Sequence, residues 1–371
     1  MNHHPSSLRV VVLALFLTAC TGVGETDETT TLTTTPASPT TTEATTTTEM
    51  ETTSTAGSAS TEPVARGHMA MTSIDEEWGV MMFGGVTSPP PEFEVLGDAW
   101  TLADRSDGWL PVDSLAPVGG DTIAYDSESG QVILYTAWEG PSEIWAMAPT
   151  TGEWVQMSTD SVPQGIWAPH LVYDEESDVV IMIGPPDPSP ESGIATWAYD
   201  FDVDSWTEMH SASTMPKRWF PAMAYDAAAD RVIVFGGFSA NDAPLADTWA
   251  YDFNSDTWTE LMPDVSPPPR GYSAMAYDPI SDRTILFGGS THTDPLNDTW
   301  AYDSQAITWT ELNTDLVPPA RDRHGTAFNP VDGTIVLFGG ATILGSGPEW
   351  EALPVETWVF DPVAEAWSPI S

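Results

Sequence analysis

Cationic side chains and cysteine are what this 371-residue chain has least of. Ten Lys plus Arg stand against 55 Asp plus Glu, for a formal net charge of −45, and Lys217 is the single lysine. A surface so biased repels nucleic-acid phosphates and anionic headgroups, which excludes nucleic acid as a partner and any charge-driven membrane contact. It suits salty or cation-rich surroundings, where the Debye length falls to about 3 Å near 1 M salt. One cysteine, Cys20, excludes an intramolecular disulfide and a thiolate metal cluster. No segment sustains a helical period. His68, His170, His210, His292 and His324 show neither His-x-His nor His-Glu-x-x-His spacing, and neither a Gly-x-Ser-x-Gly elbow nor a phosphate-binding Gly-Lys loop is present. No metal and no cofactor are therefore expected.

The N-terminus reads as an address. Arg9 precedes the apolar run Val10–Leu17, too short to span a bilayer, and residues 1–20 have the form of a signal peptide. Leu17-Thr18-Ala19-Cys20 resembles the bacterial lipobox, whose cysteine is diacylated and becomes the first residue after cleavage. That resemblance implies lipidation at Cys20 and a place on the extracytoplasmic face of the cell membrane, held by the lipid anchor alone. Two acyl chains anchor stably where one is marginal, at about 0.8 kcal/mol per buried methylene. Residues 21–61 contain 19 threonines and almost no large apolar side chains. The stretch 21–62 is accordingly expected to be a disordered linker. A flexible segment of about 40 residues spans roughly 35 Å. Its dense threonines resemble the O-glycosylated stalks of Gram-positive surface lipoproteins.

What the chain has in abundance is tryptophan in pairs: Trp100/Trp109, Trp145/Trp154, Trp197/Trp206, Trp249/Trp258, Trp300/Trp309 and Trp358/Trp367. Each pair is nine residues apart, and successive pairs lie 45, 52, 52, 51 and 58 residues apart. A fixed inner spacing with an elastic outer one marks a structural unit joined by tolerant loops. Six repeats follow, at approximately 64–113, 114–161, 162–213, 214–265, 266–316 and 317–371. The fourth runs Arg218, Ala222–Asp226, Arg231–Phe235, Gly236-Gly237, then two tryptophan strands. The second and third are degraded, with Tyr135-Thr136-Ala137 and Ile183-Gly184-Pro185 replacing Phe-Gly-Gly, and Val118 and Ile166 replacing the arginine. Four short β-rich runs per unit of 40–55 residues predict an all-β, six-bladed β-propeller over 63–371.

Arginine, a small-aromatic strand, Phe-Gly-Gly, Trp-x-Tyr-Asp and a tryptophan nine residues on resemble the kelch motif across all six units, most clearly in the fourth to sixth. The kelch group includes galactose-oxidase-like central domains. Their copper site needs a cysteine cross-linked to a tyrosine, and Cys20 lies in the signal region, so that activity is excluded. The iron-binding Glu-x3-Asp-x3-His of plant kelch specifier proteins also fails, because Pro319 follows Glu311 and Asp315 where histidine is required. In the register of the repeats, no strand is lent between the first and last blades.

One constellation is a candidate site. Arg66, Arg218, Arg270 and Arg321 lead into the first strand of their repeats, and Trp219, Tyr272, Arg323 and His324 fall in the same segments, as do His68, Trp167 and Lys217. Closing the ring would gather them on one rim, where guanidinium groups suit carboxylates and aromatics suit sugar faces. In eukaryotic kelch propellers, arginines at similar positions help bind acidic peptides. The other reading pairs these arginines with repeat aspartates such as Asp226 and Asp278. Asp200–Asp204 has alternate acids, but Ser205 and Ser211 break the calcium-loop pattern, so it reads as a turn. The expected function is a monomeric, non-catalytic binding or scaffolding module for an envelope protein or carbohydrate. The second reading is a sugar-acting enzyme, such as an acidic-sugar mutarotase working in the propeller mouth.

Overall fold

A computed structural model describes residues 62–87, 94–113, 122–137, 141–158, 161–186, 193–291, 293–343, 350–352 and 355–370. Cys20, where lipidation is expected, the threonine-rich stretch 21–61 and His292 lie outside the described residues.

Six four-stranded antiparallel sheets follow one another along the chain, each with its four strands in chain order. Blade 1 comprises Ala70–Ser73, Val80–Phe83, Ala99–Leu102 and Leu110–Val112; blade 2, Thr122–Asp126, Gln131–Thr136, Glu143–Met147 and Trp154–Gln156. Blade 3 comprises His170–Asp174, Val179–Gly184, Ala195–Asp200 and Ser205–Glu208; blade 4, Ala222–Asp226, Arg231–Phe235, Thr248–Asp252 and Thr257–Leu261. Blade 5 comprises Ala274–Asp278, Arg283–Phe287, Thr299–Asp303 and Thr308–Leu312; blade 6, Gly325–Asn329, Thr334–Phe338, Thr357–Asp361 and Ala366–Pro369. The first strand of each blade lies against the first strands of its neighbours, and that of blade 6 lies against that of blade 1. The six first strands thus ring the axis of a β-propeller. Two short two-stranded sheets are additional: Arg218–Trp219 pairs with Phe238–Ser239, and Ala341–Ile343 with Trp350–Ala352.

Alternation along the third strand explains how blades pack. In blade 4, Trp249 and Tyr251 face one way and join Val179, Ile181 and Met215 of blade 3 and its exit segment, while Ala250 faces the other way and joins Leu286 of blade 5. In four of the six pairs the second tryptophan then staples one blade to the one before it. Trp258 Nε1 donates to Thr196 Oγ1 (3.0 Å), Trp309 to Thr248 (3.0 Å) and Trp367 to Thr299 (2.9 Å). Its ring also leans on the phenylalanine of the preceding Phe-Gly-Gly, as Trp309 does on Phe235 and Trp367 on Phe287, with centroids 5.1 Å apart.

The ring closes by the same device. Trp109 of blade 1 donates to Thr357 Oγ1 of blade 6 at 2.8 Å and packs on Phe338 at 5.4 Å. Gly340 N donates to Arg66 O (2.9 Å), and Asn329 Nδ2 to Ala103 O (3.0 Å), across the same seam. Gly339 has φ +67°, and a Cβ there would lie 2.5 Å from Arg66 O, so glycine lets the seam close. Each sheet is complete without a borrowed strand, so side-chain staples rather than strand exchange hold first to last.

The two degraded repeats show what the staple requires. Trp154 and Trp206 meet Ala99 and Ile144 where the other blades supply threonine, and both indole Nε1 groups are buried without a hydrogen-bond partner.

Candidate functional site

Each repeat arginine is consumed inside its blade. Arg66, Arg218, Arg270 and Arg321 are at most 1% exposed. Their Nε groups donate to the carbonyls of Val64, Pro216, Pro268 and Pro319, and their Nη1 groups to the carbonyls of Gly84, Gly236, Gly288 and Gly339. In three blades the guanidinium also grips a carboxylate at both oxygens: Arg66 on Asp98 (2.6 and 2.8 Å), Arg218 on Asp247 (2.7 and 2.8 Å) and Arg270 on Asp298 (2.6 Å twice). The same carboxylates accept the indole N–H of Trp100, Trp249 and Trp300. Burial pushes these three carboxyls up, and the arginine more than offsets it, leaving each below its ordinary value. In blade 6 Glu356 replaces the aspartate, and burial pushes Arg321 down to about 10 despite that carboxylate's charge.

Arg66, Arg218 and Arg270 are therefore struts and not rim donors, because their forks are satisfied and desolvated by the blade that carries them, and Arg321 is equally buried on two backbone carbonyls. Their partners are also not Asp226 and Asp278. Those two cap first turns, with Asp226 Oδ1 accepting from Ala229 N and Asp278 Oδ1 from Ile280 N. The true partner sits two residues before the third-strand tryptophan, a repeated Asp-x-Trp in blades 1, 4 and 5 that signals it in the sequence. Blade 3 has Ala195 at that position, and Trp197 Nε1 is left buried without a partner.

Two residues beyond the arginine position the chain turns towards the axis in a left-handed conformation. His68, Ala168, Phe220, Tyr272 and Arg323 occupy equivalent places, with φ of 55°, 41°, 53°, 55° and 57°. Such backbone costs about 1–3 kcal/mol per non-glycine residue and persists only where its surroundings impose it. Here a chain of hydrogen bonds imposes it: Tyr272 N donates to Phe220 O (3.0 Å), Arg323 N to Tyr272 O (3.0 Å) and His68 N to Arg323 O (2.9 Å).

The side chains from these positions meet across the axis and form the mouth. Phe220 stacks on Tyr272 with centroids 4.3 Å apart, and His68 meets both edge-on at 6.2 and 5.8 Å. Arg323 lies 4.0 Å over the Tyr272 ring while its Nη1 donates to both oxygens of fully buried Asp322 (2.6 and 2.7 Å). Burial works against the Arg323 charge, and Asp322 more than offsets it, raising the guanidinium above its ordinary value. His68 keeps an edge open to solvent, but crowding by protein atoms and then the Arg323 charge push its imidazole down.

Around this knot lie further aromatics. Trp219 is half-buried beneath Lys217, whose Nζ sits 5.3 Å from the ring centroid and whose side chain is 5% exposed. Phe238 packs on Tyr272 at 5.4 Å, and Gly271 permits it, since a Cβ there would come within 2.2 Å of the Phe238 ring. Trp167 is 40% exposed. The structure thus brings Trp219, Tyr272 and Arg323 to the mouth with His68, Phe220 and Phe238. It sets His324 apart, 6% exposed against Phe287, with its pKa pushed down to about 3 by burial and then by Arg321.

The opposite face is acidic. Asp126, Asp174, Asp226 and Asp278 are buried in its turns, burial raises the carboxyls of Asp174 and Asp226, and Asp178 raises that of exposed Glu128. Asp200–Asp204 is the turn between the third and fourth strands of blade 3, with Asp200 accepting from Val203 N. Among the described residues no group of three or more His, Cys, Asp and Glu is disposed to hold a metal, and no helix is long and apolar enough to cross a membrane.

Comparison with known proteins gives a consistent set of likenesses. The KLHDC2/KLHL20/DRC7 Kelch-repeats domain matches residues 170–371. Putative adagio-like protein 2 of Oryza sativa subsp. japonica is 30% identical over 152 residues, which is 38% of this chain and 23% of that protein. Adagio protein 3 of Arabidopsis thaliana is 25% identical over 208 residues, 51% of this chain and 32% of the relative. Kelch domain-containing protein 2 of Bos taurus is 33% identical over 110 residues, 29% of this chain and 26% of the relative. The chain spans about a quarter to a third of the length of these relatives.

Proposed function

Because the chain belongs to the kelch-repeat family, we propose that it is a non-catalytic binding or scaffolding module whose ligand is read at the propeller mouth. The observation that supports this reading is the left-handed inner ring. Its backbone conformation is held constant, whereas its side chains change from His68 to Ala168, Phe220, Tyr272 and Arg323. A repeated strained frame carrying unlike side chains is what a recognition surface needs, since the frame fixes position and the side chains set specificity. The lipobox at Cys20 and the threonine-rich stretch support placing the module on the outer face of a cell membrane, tethered by lipid and facing an envelope carbohydrate or protein.

An acidic-sugar enzyme is the weaker reading. It needs an anion-holding arginine, and the four repeat arginines are internally satisfied. A screen of the full chain against envelope glycans, cell-wall polymer and envelope proteins, repeated with EDTA, tests the proposal. Retention that mouth substitutions abolish is expected. Retention of none of these classes, or retention indifferent to the mouth, refutes it.

A further inference from the structure

Cations are scarce enough in this chain to be placed one by one. Nine of the ten lie in described residues. Arg231 and Arg283 follow turns on the acidic face, and Arg105 is ion-paired there with Asp332. Six lie at the mouth end. Arg66, Arg218, Arg270 and Arg321 are at most 1% exposed, and Lys217 is 5% exposed. The sixth, Arg323, has a side chain 14% exposed and is held by Asp322. Among the described residues the mouth therefore offers no accessible, uncompensated positive charge to a carboxylate, sulfate or phosphate. Asp242 adds negative charge near Tyr272, and the net charge of −45 repels anions from farther away.

Arg323 already lies over a face of Tyr272 and Lys217 over a face of Trp219, so the open ring face is that of Trp167. Among the described residues the rings of His68, Phe220 and Tyr272 pack within 6.2 Å of one another, so a ligand there lies on their surface and not between them. That surface offers an exposed indole at Trp167, half-buried aromatic rings at Trp219, Phe220 and Tyr272, and the exposed His68 imidazole. Apolar ring faces beside a few polar groups match a pyranose, whose C–H face stacks on aromatics while its hydroxyls hydrogen-bond at the edge.

We propose that the mouth binds an uncharged saccharide, stacked on the exposed Trp167 indole with its edges towards the aromatic knot. This rests on the binding reading above and narrows it to one ligand class. In the test, the full chain is titrated with neutral oligosaccharides (maltose, mannose, galactose and N-acetylglucosamine series) and acidic ones (sialylated and glucuronate-containing), followed by tryptophan fluorescence.

A neutral saccharide is expected to bind, with a Kd that changes by less than about twofold between about 0.05 and 0.5 M NaCl. Trp167→Ala should weaken it by about tenfold or more, the size of one lost stacking contact, in a protein that still folds and unfolds cooperatively. Bound saccharide should also shield Trp167 from N-bromosuccinimide in the unsubstituted protein. Preference for acidic saccharides, steep salt dependence, or indifference to Trp167→Ala overturns the proposal. A photo-cross-linker at position 167 separates the remaining cases. An envelope protein captured there, with no saccharide bound, overturns the saccharide and preserves the binding reading. Capture of neither defeats both.

Discussion

Replacing Arg270 by methionine distinguishes an arginine strut from an arginine ligand. Arg270 is fully buried and makes four hydrogen bonds: to the carbonyls of Pro268 (3.0 Å) and Gly288 (2.9 Å) and to both oxygens of Asp298 (2.6 Å each). Methionine keeps most of the apolar stem and removes every donor. Breaking a buried pair by removing one partner costs about 3–5 kcal/mol. The Asp298 side chain is 21% exposed, so water recovers part of that, and the expected loss is at the low end, about 3 kcal/mol. Arg105→Met is the control, because its pair with Asp332 is 38% exposed on the arginine side and should be worth less than about 1 kcal/mol. Urea unfolding followed by tryptophan fluorescence measures both. The pair should also couple: Arg270→Met and Asp298→Asn together should cost less than the sum of the two by about 1–3 kcal/mol. The Asp298 carboxyl is held below its ordinary 3.8, so its contribution is present above that pH and is lost as pH falls through the folded value. A loss under about 1 kcal/mol for Arg270→Met, or strictly additive effects, would refute the strut assignment.

Three other outcomes follow from the same geometry. Ile307 is a β-branched residue at φ 52°, in the place where Asp256 and Asp204 accept from Tyr251 and Tyr199, and the Tyr302 hydroxyl beside it is buried without a partner. Ile307→Asn should relieve the left-handed strain and supply an acceptor, raising stability by about 1–3 kcal/mol, with a smaller gain in a Tyr302→Phe background. Thr357→Val should cost about 1–2 kcal/mol by orphaning Trp109 Nε1 at the closing seam, while Ala99→Thr should add about 1 kcal/mol by giving Trp154 an acceptor; thermal unfolding reads both. His324 falls from 6.5 to about 3 on folding, so stability is lost as pH drops from 6.5 towards 3. At pH 4.5, two units below 6.5, the loss is about 3 kcal/mol, and His324→Phe should flatten that part of the urea-midpoint profile.

The fold was legible because its determinants are local and repeated. Paired tryptophans, Phe-Gly-Gly and Trp-x-Tyr-Asp recur at spacings that only stacked β units accommodate, whereas how the ring closes had to come from the structure, because residues at either end could have supplied a lent strand. The site was less legible. A sequence shows that four arginines recur but not which way they point, and here they turn inward to aspartates two residues before a tryptophan. Phe220 and Phe238 carry no periodic signal, and their importance comes from convergence at the axis of segments up to about 200 residues apart, as with His68 and Tyr272. His324, adjacent to Arg323 in sequence, alternates onto the opposite side of the chain and is buried.

Hydrogen exchange of the full chain with and without bound envelope glycan tests the central claim, that recognition sits on the left-handed inner ring and not on the arginines or the acidic face. Ligand should slow exchange in the segments carrying His68, Ala168, Phe220, Tyr272 and Arg323, and leave the turns at Asp126, Asp174, Asp226 and Asp278 unchanged. Protection confined to those acidic turns, or to the outer fourth strands, would contradict it.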